Sequence, residues 1–143
     1  MTIKVLLVDD ETSFVETLSR RLTLRRLEVH TAASAAEAFA FLDRDEADVV
    51  VLDVRMPGMG GIEATQEIRK THPTVEVILL TGHASLEASL EGMTLGAFDY
   101  LLKPVSIDEL IFKIEDAYRR RTLRREGAAS RSDTGSGSAA GAE

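Results

Sequence analysis

The chain has no cysteine among its 143 residues. Disulfides, thiolate metal sites and cysteine nucleophiles are therefore excluded, and a reducing compartment is permitted. Long hydrophobic runs are missing too. None approaches the ~20 residues that cross a bilayer, so no membrane insertion is expected. The opening, MTIKVLLVDD, is too acidic and its apolar run too short for a secretory signal. A cytoplasmic location is the resulting expectation. Basic residues are scarce along most of the chain. Residues 1–118 hold 11 basic and 21 acidic groups, against 6 and 3 in residues 119–143. An acidic body opposes phosphate backbones, so direct nucleic-acid binding is not expected.

What is present is an alternation of two periods. Apolar, β-branched runs occur at Ile3–Val8, Val49–Leu52 and Val75–Leu80, with weaker ones near Leu27–Thr31 and Phe98–Leu101. Between them lie stretches with helical spacing. One helix carries Phe14, Leu18 and Leu22. Another carries Ala36, Phe39, Ala40 and Leu42, a third Ile62 and Ile68, and the last Ile107, Leu110, Ile111, Ile114, Ala117 and Tyr118. Ser34–Glu37 and Ser106–Glu109 fit capping boxes, and Pro57-Gly58 and Gly60-Gly61 mark a turn. Strands that are apolar on both faces belong in a parallel sheet covered on both sides. The expected fold is α/β, an open, doubly wound sheet of five parallel strands. The length fits one domain over residues 1–122. Residues 123–143, rich in Gly, Ser and Ala, read as a flexible tail or linker.

Ligands of such sheets bind beyond the carboxyl ends of the strands. Asp9 and Asp10 follow the first strand there, and Asp53 follows the third. Singly, each has an ordinary reading: Asp10 as a helix N-cap, Asp53 as a turn residue. Together they crowd. Two unit charges about 4 Å apart repel by roughly 4 kcal/mol at an effective dielectric near 20. Three carboxylates at one rim therefore call for a cation or shared protons. With oxygen ligands only, and three histidines far apart, that cation is hard: Mg²⁺, with Mn²⁺ as a substitute, rather than zinc. Thr81 ends the fourth strand and Lys103 the fifth. Carboxylates, a metal, a hydroxyl and an ammonium at one edge suit a phosphoryl group.

The set VDDE (Asp9, Asp10), LDVRMPGMGG (Asp53), TGH (Thr81) and LKP (Lys103) resembles the receiver domain of two-component response regulators over residues 3–121. The resemblance implies a flavodoxin-like fold with strand order 2-1-3-4-5. It implies that Asp53 accepts a phosphoryl group from a phosphohistidine on a sensor histidine kinase or phosphotransfer protein. Asp10, Asp53 and the backbone carbonyl of Arg55 would hold Mg²⁺ directly, and Asp9 mostly through water. Lys103 would pair with the phosphoryl group, and the Lys103–Pro104 bond would be cis. Thr81 and Tyr100 would switch together and reshape the face over residues 84–121, where a downstream protein target or a second copy would bind. Arg55 and His83, two residues after Asp53 and Thr81, would tune the acyl-phosphate lifetime, or else point to solvent.

Two other classes stay open on the residues. An aspartate-based, Mg²⁺-dependent phosphohydrolase shares the fold class, but wants a second Asp where Arg55 stands. A receiver-like module could instead bind partners without phosphorylation, although the full acid set opposes that. The arginines in YRRRTLRRE suit the carboxyl end of a helix, as caps and for solubility. An extension of that helix into a partner's interface is the other reading.

Overall fold

The computed structural model describes residues 2–135. The elements are β1 (Lys4–Val8), α1 (Thr12–Leu24), β2 (Glu28–Ala32), α2 (Ala35–Arg44), β3 (Val49–Asp53), α3 (Gly61–Thr71), β4 (Glu76–Thr81), a 3₁₀ turn (His83–Ser85), α4 (Leu86–Thr94), β5 (Asp99–Leu102) and α5 (Ile107–Gly135). All strand pairs are parallel, in the order β2-β1-β3-β4-β5. This is the expected doubly wound sheet.

Side-chain alternation along each strand builds two cores. Leu6, Val8, Val50, Leu52, Val77 and Leu79 face one way and pack with α2 and α3 residues such as Phe41, Leu42, Ala64 and Ile68. Val5, Leu7, Val49, Val51, Ile78 and Leu80 face the other way, against Leu18 and Leu22 of α1 and Leu110 and Ile114 of α5. Every residue of β3 and β4 is buried, including the terminal Asp53 and Thr81. A Leu→Ala change in these strands would cost about 2–5 kcal/mol.

The α2 stripe differs from the sequence reading. Ala35, Ala38, Phe41 and Leu42 are buried, whereas Ala36 and Ala40 are exposed. In an alanine-rich helix several registers look equally apolar, and the bulk of Phe41 decides. Ser34 is the N-cap: its Oγ accepts from the Glu37 N–H at 3.1 Å, and the Glu37 carboxylate accepts from the Ala33 N–H at 2.9 Å. Asp10 does not cap α1, whose N-cap is Glu11, without a side-chain bond.

The last helix is longer than expected. α5 continues through Gly135, past residue 123, where the sequence suggests a loose tail; residues 136–143 lie outside the described residues. The arginines explain part of the extension. Arg121 is buried and donates to Asp48 at 2.9 Å, Thr74 at 2.7 Å and Glu46 at 3.1 Å. Arg124 donates to the Pro73 carbonyl at 3.2 Å and sits 3.2 Å from the buried Glu76 carboxylate. They tie α5 to the amino-terminal edge of the sheet, beyond simple capping.

Candidate functional site

The sheet order reverses between β1 and β3: the chain leaves β1 towards β2 on one side and returns to β3 on the other. The carboxyl ends of these two strands form the switch point. Asp9 and Asp10 directly follow β1, and Asp53 is the last residue of β3. One carboxylate oxygen from each lies within 4.8 Å of the other two. Asp9 and Asp53 are buried and Asp10 is exposed.

Lys103 follows β5 and reaches back over the sheet edge. Its Nζ lies 3.0 Å from Asp53 Oδ1, 3.1 Å from Asp9 Oδ2 and 3.3 Å from Glu11 Oε1. It also sits 4.5 Å from the centre of the Phe14 ring. The Lys103–Pro104 peptide is cis, as expected. Burial works against the Lys103 ammonium, but its bonds to Asp53 and Asp9 and their negative charges prevail, and its pKa is raised. For Asp53 burial is the largest effect. The nearby charges of Asp9 and Asp10 add to it, the Lys103 bond opposes it, and the net direction is up. A single ammonium thus pairs with three carboxylates, Asp9, Asp53 and Glu11, while Asp10 crowds the first two. That charge deficit and the all-oxygen donor set fit a hard divalent cation.

Thr81 is buried at the end of β4, beside β3 and β5. Its hydroxyl donates to the Gly82 carbonyl at 3.1 Å. Asp10, Glu11, Asp53, Arg55, Thr81, Ser85 and Lys103 line one open cleft of about 450 Å³. Arg55 is exposed, yet its Nε donates to Ser85 Oγ at 2.8 Å, at the start of α4. His83 is exposed and is not part of the cleft wall. Tyr100 is half-buried in β5, opposite Leu79, against the core that α2 and α3 share. The acids, Thr81, Lys103 and Arg55 come together; Tyr100 stands two residues behind the edge, and His83 outside it.

Three participants went unassigned in the sequence. Glu11 is visible as the third acid of VDDE, but nothing there says that it meets Lys103. Phe14 reads as core, although it also carries the lysine. Ser85 has no signal, because its role depends on the path of the loop after β4.

The sequence profile of the response regulator receiver domain matches residues 5–115. The chain belongs to the response regulator receiver family. The receiver is 36% identical over 123 residues to the regulatory protein AtoC of Escherichia coli, covering 86% of this chain and 27% of AtoC. It is also 36% identical over 118 residues to the probable transcriptional regulatory protein TcrX of Mycobacterium tuberculosis, covering 82% of this chain and 50% of TcrX. It therefore spans between about a quarter and a half of these curated relatives. Among solved structures, a receiver domain protein from Clostridium thermocellum superposes with a TM-score of 0.80 at 36% identity, over 85% of this chain and 98% of that one. NtrX from Brucella abortus superposes with a TM-score of 0.84 at 31% identity, over 94% and 30%. Among the described residues, no helix is long and apolar enough to cross a membrane.

Proposed function

We propose that this receiver is a Mg²⁺-dependent, cytoplasmic phospho-accepting switch whose acceptor is Asp53. The observation that carries the reading is the Lys103 ammonium bridging Asp53 and Asp9 beside the exposed Asp10. A carboxylate oxygen of Asp53 attacks the phosphorus of a phosphohistidine. A P–O bond forms, the P–N bond breaks, and the imidazole leaves with a proton. Lys103 stabilises charge on the transferred oxygens without reorganising, because neighbouring acids already hold it at the site. Asp10, Asp53 and the Arg55 carbonyl would hold Mg²⁺, with Asp9 behind them; Mn²⁺ suits the same oxygens. When bound, the ion supplies the positive charge that one lysine cannot.

The phosphoryl group adds about 1.5–2 negative charges and three strong acceptors. The Thr81 hydroxyl, which holds only its neighbour's carbonyl, turns to those acceptors. Tyr100 then moves inward behind it, and the face formed by α4, β5 and α5 changes shape for a downstream target or a second copy. The donor is a sensor histidine kinase or phosphotransfer protein. An apolar groove beside Lys103, lined by Phe14, Leu18, Val105 and Ile107, offers it a surface. Arg55, in the cleft wall, tunes how water reaches the phosphorus, whereas His83, exposed and outside the wall, takes the solvent reading. Residues 1–122 act as the switch.

The test is incubation with Mg²⁺ and a small acyl phosphate, followed by intact mass. One added phosphoryl group is expected, and none in Asp53→Asn. Continuous phosphate release from simple esters would favour a hydrolase instead. No labelling under any condition would favour a binding module.

A further inference from the structure

Lys103 has two neighbours outside the aspartate cluster. Its Nζ lies 4.5 Å from the centre of the Phe14 ring and 3.3 Å from Glu11 Oε1. Its other partners, Asp53 at 3.0 Å and Asp9 at 3.1 Å, belong to the cluster itself. Phe14 stands on the first turn of α1, where Val15, Leu18 and Leu22 are the buried residues. Its ring is half-buried at the rim of the core they build, and it lines the groove that Lys103 and Pro104 also line. A phenyl ring so placed gives the core less than full burial would. What it does receive is an ammonium over its face, well within the ~6 Å reach of that attraction.

We infer that Phe14 is a positioning residue for phosphoryl transfer: its ring keeps the Lys103 ammonium aimed at the acceptor while the charges on the neighbouring carboxylates change. This rests on Asp53 as the acceptor. Once Asp53 carries a phosphoryl group, its bonded oxygen is no longer anionic, and its hold on Lys103 weakens. Lys103 also shares these acids with any divalent cation bound there. A lysine has a long, flexible stem and a strongly hydrated head, so with weakened partners it swings towards water. Neither event touches Phe14.

Glu11 is a poorer anchor for the same ammonium. Its side chain is 65% exposed, where an ion pair is screened by solvent. It is also an anion, and a further negative charge at the rim opposes the arriving phosphoryl group. The ring attracts the cation through its quadrupole and brings no net charge. It is carried by a helix packed on the sheet, so the ammonium is aimed before the phosphoryl group arrives.

Phe14→Leu and Phe14→Met keep an apolar side chain and remove the ring. With Mg²⁺ and a small acyl phosphate, which needs no docking of a donor protein on the groove, both should label Asp53 about three- to tenfold more slowly. Phe14→Tyr should restore the rate, and urea titration of each variant shows that the chains compared are folded. A second readout needs neither metal nor phosphoryl group. In the NMR spectrum the ε-methylene protons of Lys103, identified by their loss in Lys103→Met, should be shielded by the ring and should return to the ordinary lysine position in Phe14→Leu. Unchanged labelling in folded Phe14→Leu and Phe14→Met, no rescue by Phe14→Tyr, or ε-methylene protons indifferent to the substitution would each overturn the role of Phe14. Labelling of the unsubstituted chain at a residue other than Asp53 would overturn the acceptor reading beneath it, and the Lys103 shift would still report the ring contact by itself.

Discussion

As the proposed acceptor, Asp53 has to be an anion to attack phosphorus, yet its surroundings resist the charge. Burial and the neighbouring Asp9 and Asp10 raise its pKa in the folded chain. A raised carboxyl pKa contributes stability that is complete below the ordinary value of about 3.9 and is lost as pH rises through the folded value. Ionised Asp53 therefore weakens the metal-free fold at neutral pH. Asp53→Asn should be the more stable protein at pH 7 without metal, and the gain should vanish on acidification below about pH 4; urea titrations at the two pH values measure it. Lys103 works in the opposite sense. Its raised pKa gives stabilisation that is complete below the ordinary lysine value of about 10.4, hence constant across neutral pH. Lys103→Met leaves the buried Asp9 without its ammonium and should cost about 3 kcal/mol. It should also slow labelling of Asp53, which the same preparation can report. These two positions, with Asp10 and Thr81, were legible because each acid, hydroxyl or ammonium closes an apolar run. Glu11, Phe14 and Ser85 were not, since their part depends on where the long side chains of Lys103 and Arg55 come to rest.

Elements hold the site rigid from behind. Gly61 opens α3 so close to β3 that a methyl group there would overlap the Asp53 carbonyl oxygen. Gly61→Ala should displace either α3 or the acceptor strand and cost about 1–3 kcal/mol, as overpacking usually does. Labelling slowed more than stability loss explains would indicate a moved Asp53. At the opposite edge, Arg121 and Arg124 dock α5 against Asp48, Glu46 and Glu76. Glu76 is buried, and burial raises its pKa against the pull of Arg120 and Arg121. One of its oxygens has no hydrogen bond, although Arg124 Nε stands 3.2 Å away, so the contact is an ion pair without hydrogen-bond alignment. Arg121→Ala strips a buried cluster of its cation. It should destabilise the fold by about 3–5 kcal/mol and loosen α5 beyond residue 118, seen by urea unfolding and amide exchange. Composition made the strands and most helix stripes readable. It misplaced the α2 face, where alanines blur the register, and it hid the α5 anchors, because a run of arginines looks the same whether solvated or bound to acids 48 to 75 residues away.

In the proposed reading, the whole molecule is an equilibrium between two arrangements of the α4–β5–α5 face. Moving it from 1:99 to 99:1 requires about 5.5 kcal/mol of differential stabilisation. In that reading the Thr81 hydroxyl, now bonded to the Gly82 carbonyl, is the link between the phosphoryl group and that face. Thr81→Ala should accept the phosphoryl group but lose most of the accompanying change in amide exchange over α4 and β5. An unaltered exchange pattern would remove Thr81 from the relay. The fold as a whole could be read from five apolar runs separated by helical stripes, whereas coupling between its edge and its face could not, because it depends on which of two packings is lower in free energy.

The most direct measurement locates the phosphoryl group. Label the protein with a small acyl phosphate, with and without Mg²⁺, reduce the acyl phosphate with borohydride, and map the altered residue by peptide mass. One modified residue, Asp53, is expected, and only when Mg²⁺ is present. Modification of Asp9 or Asp10 instead, or equal labelling in the absence of the ion, would contradict it.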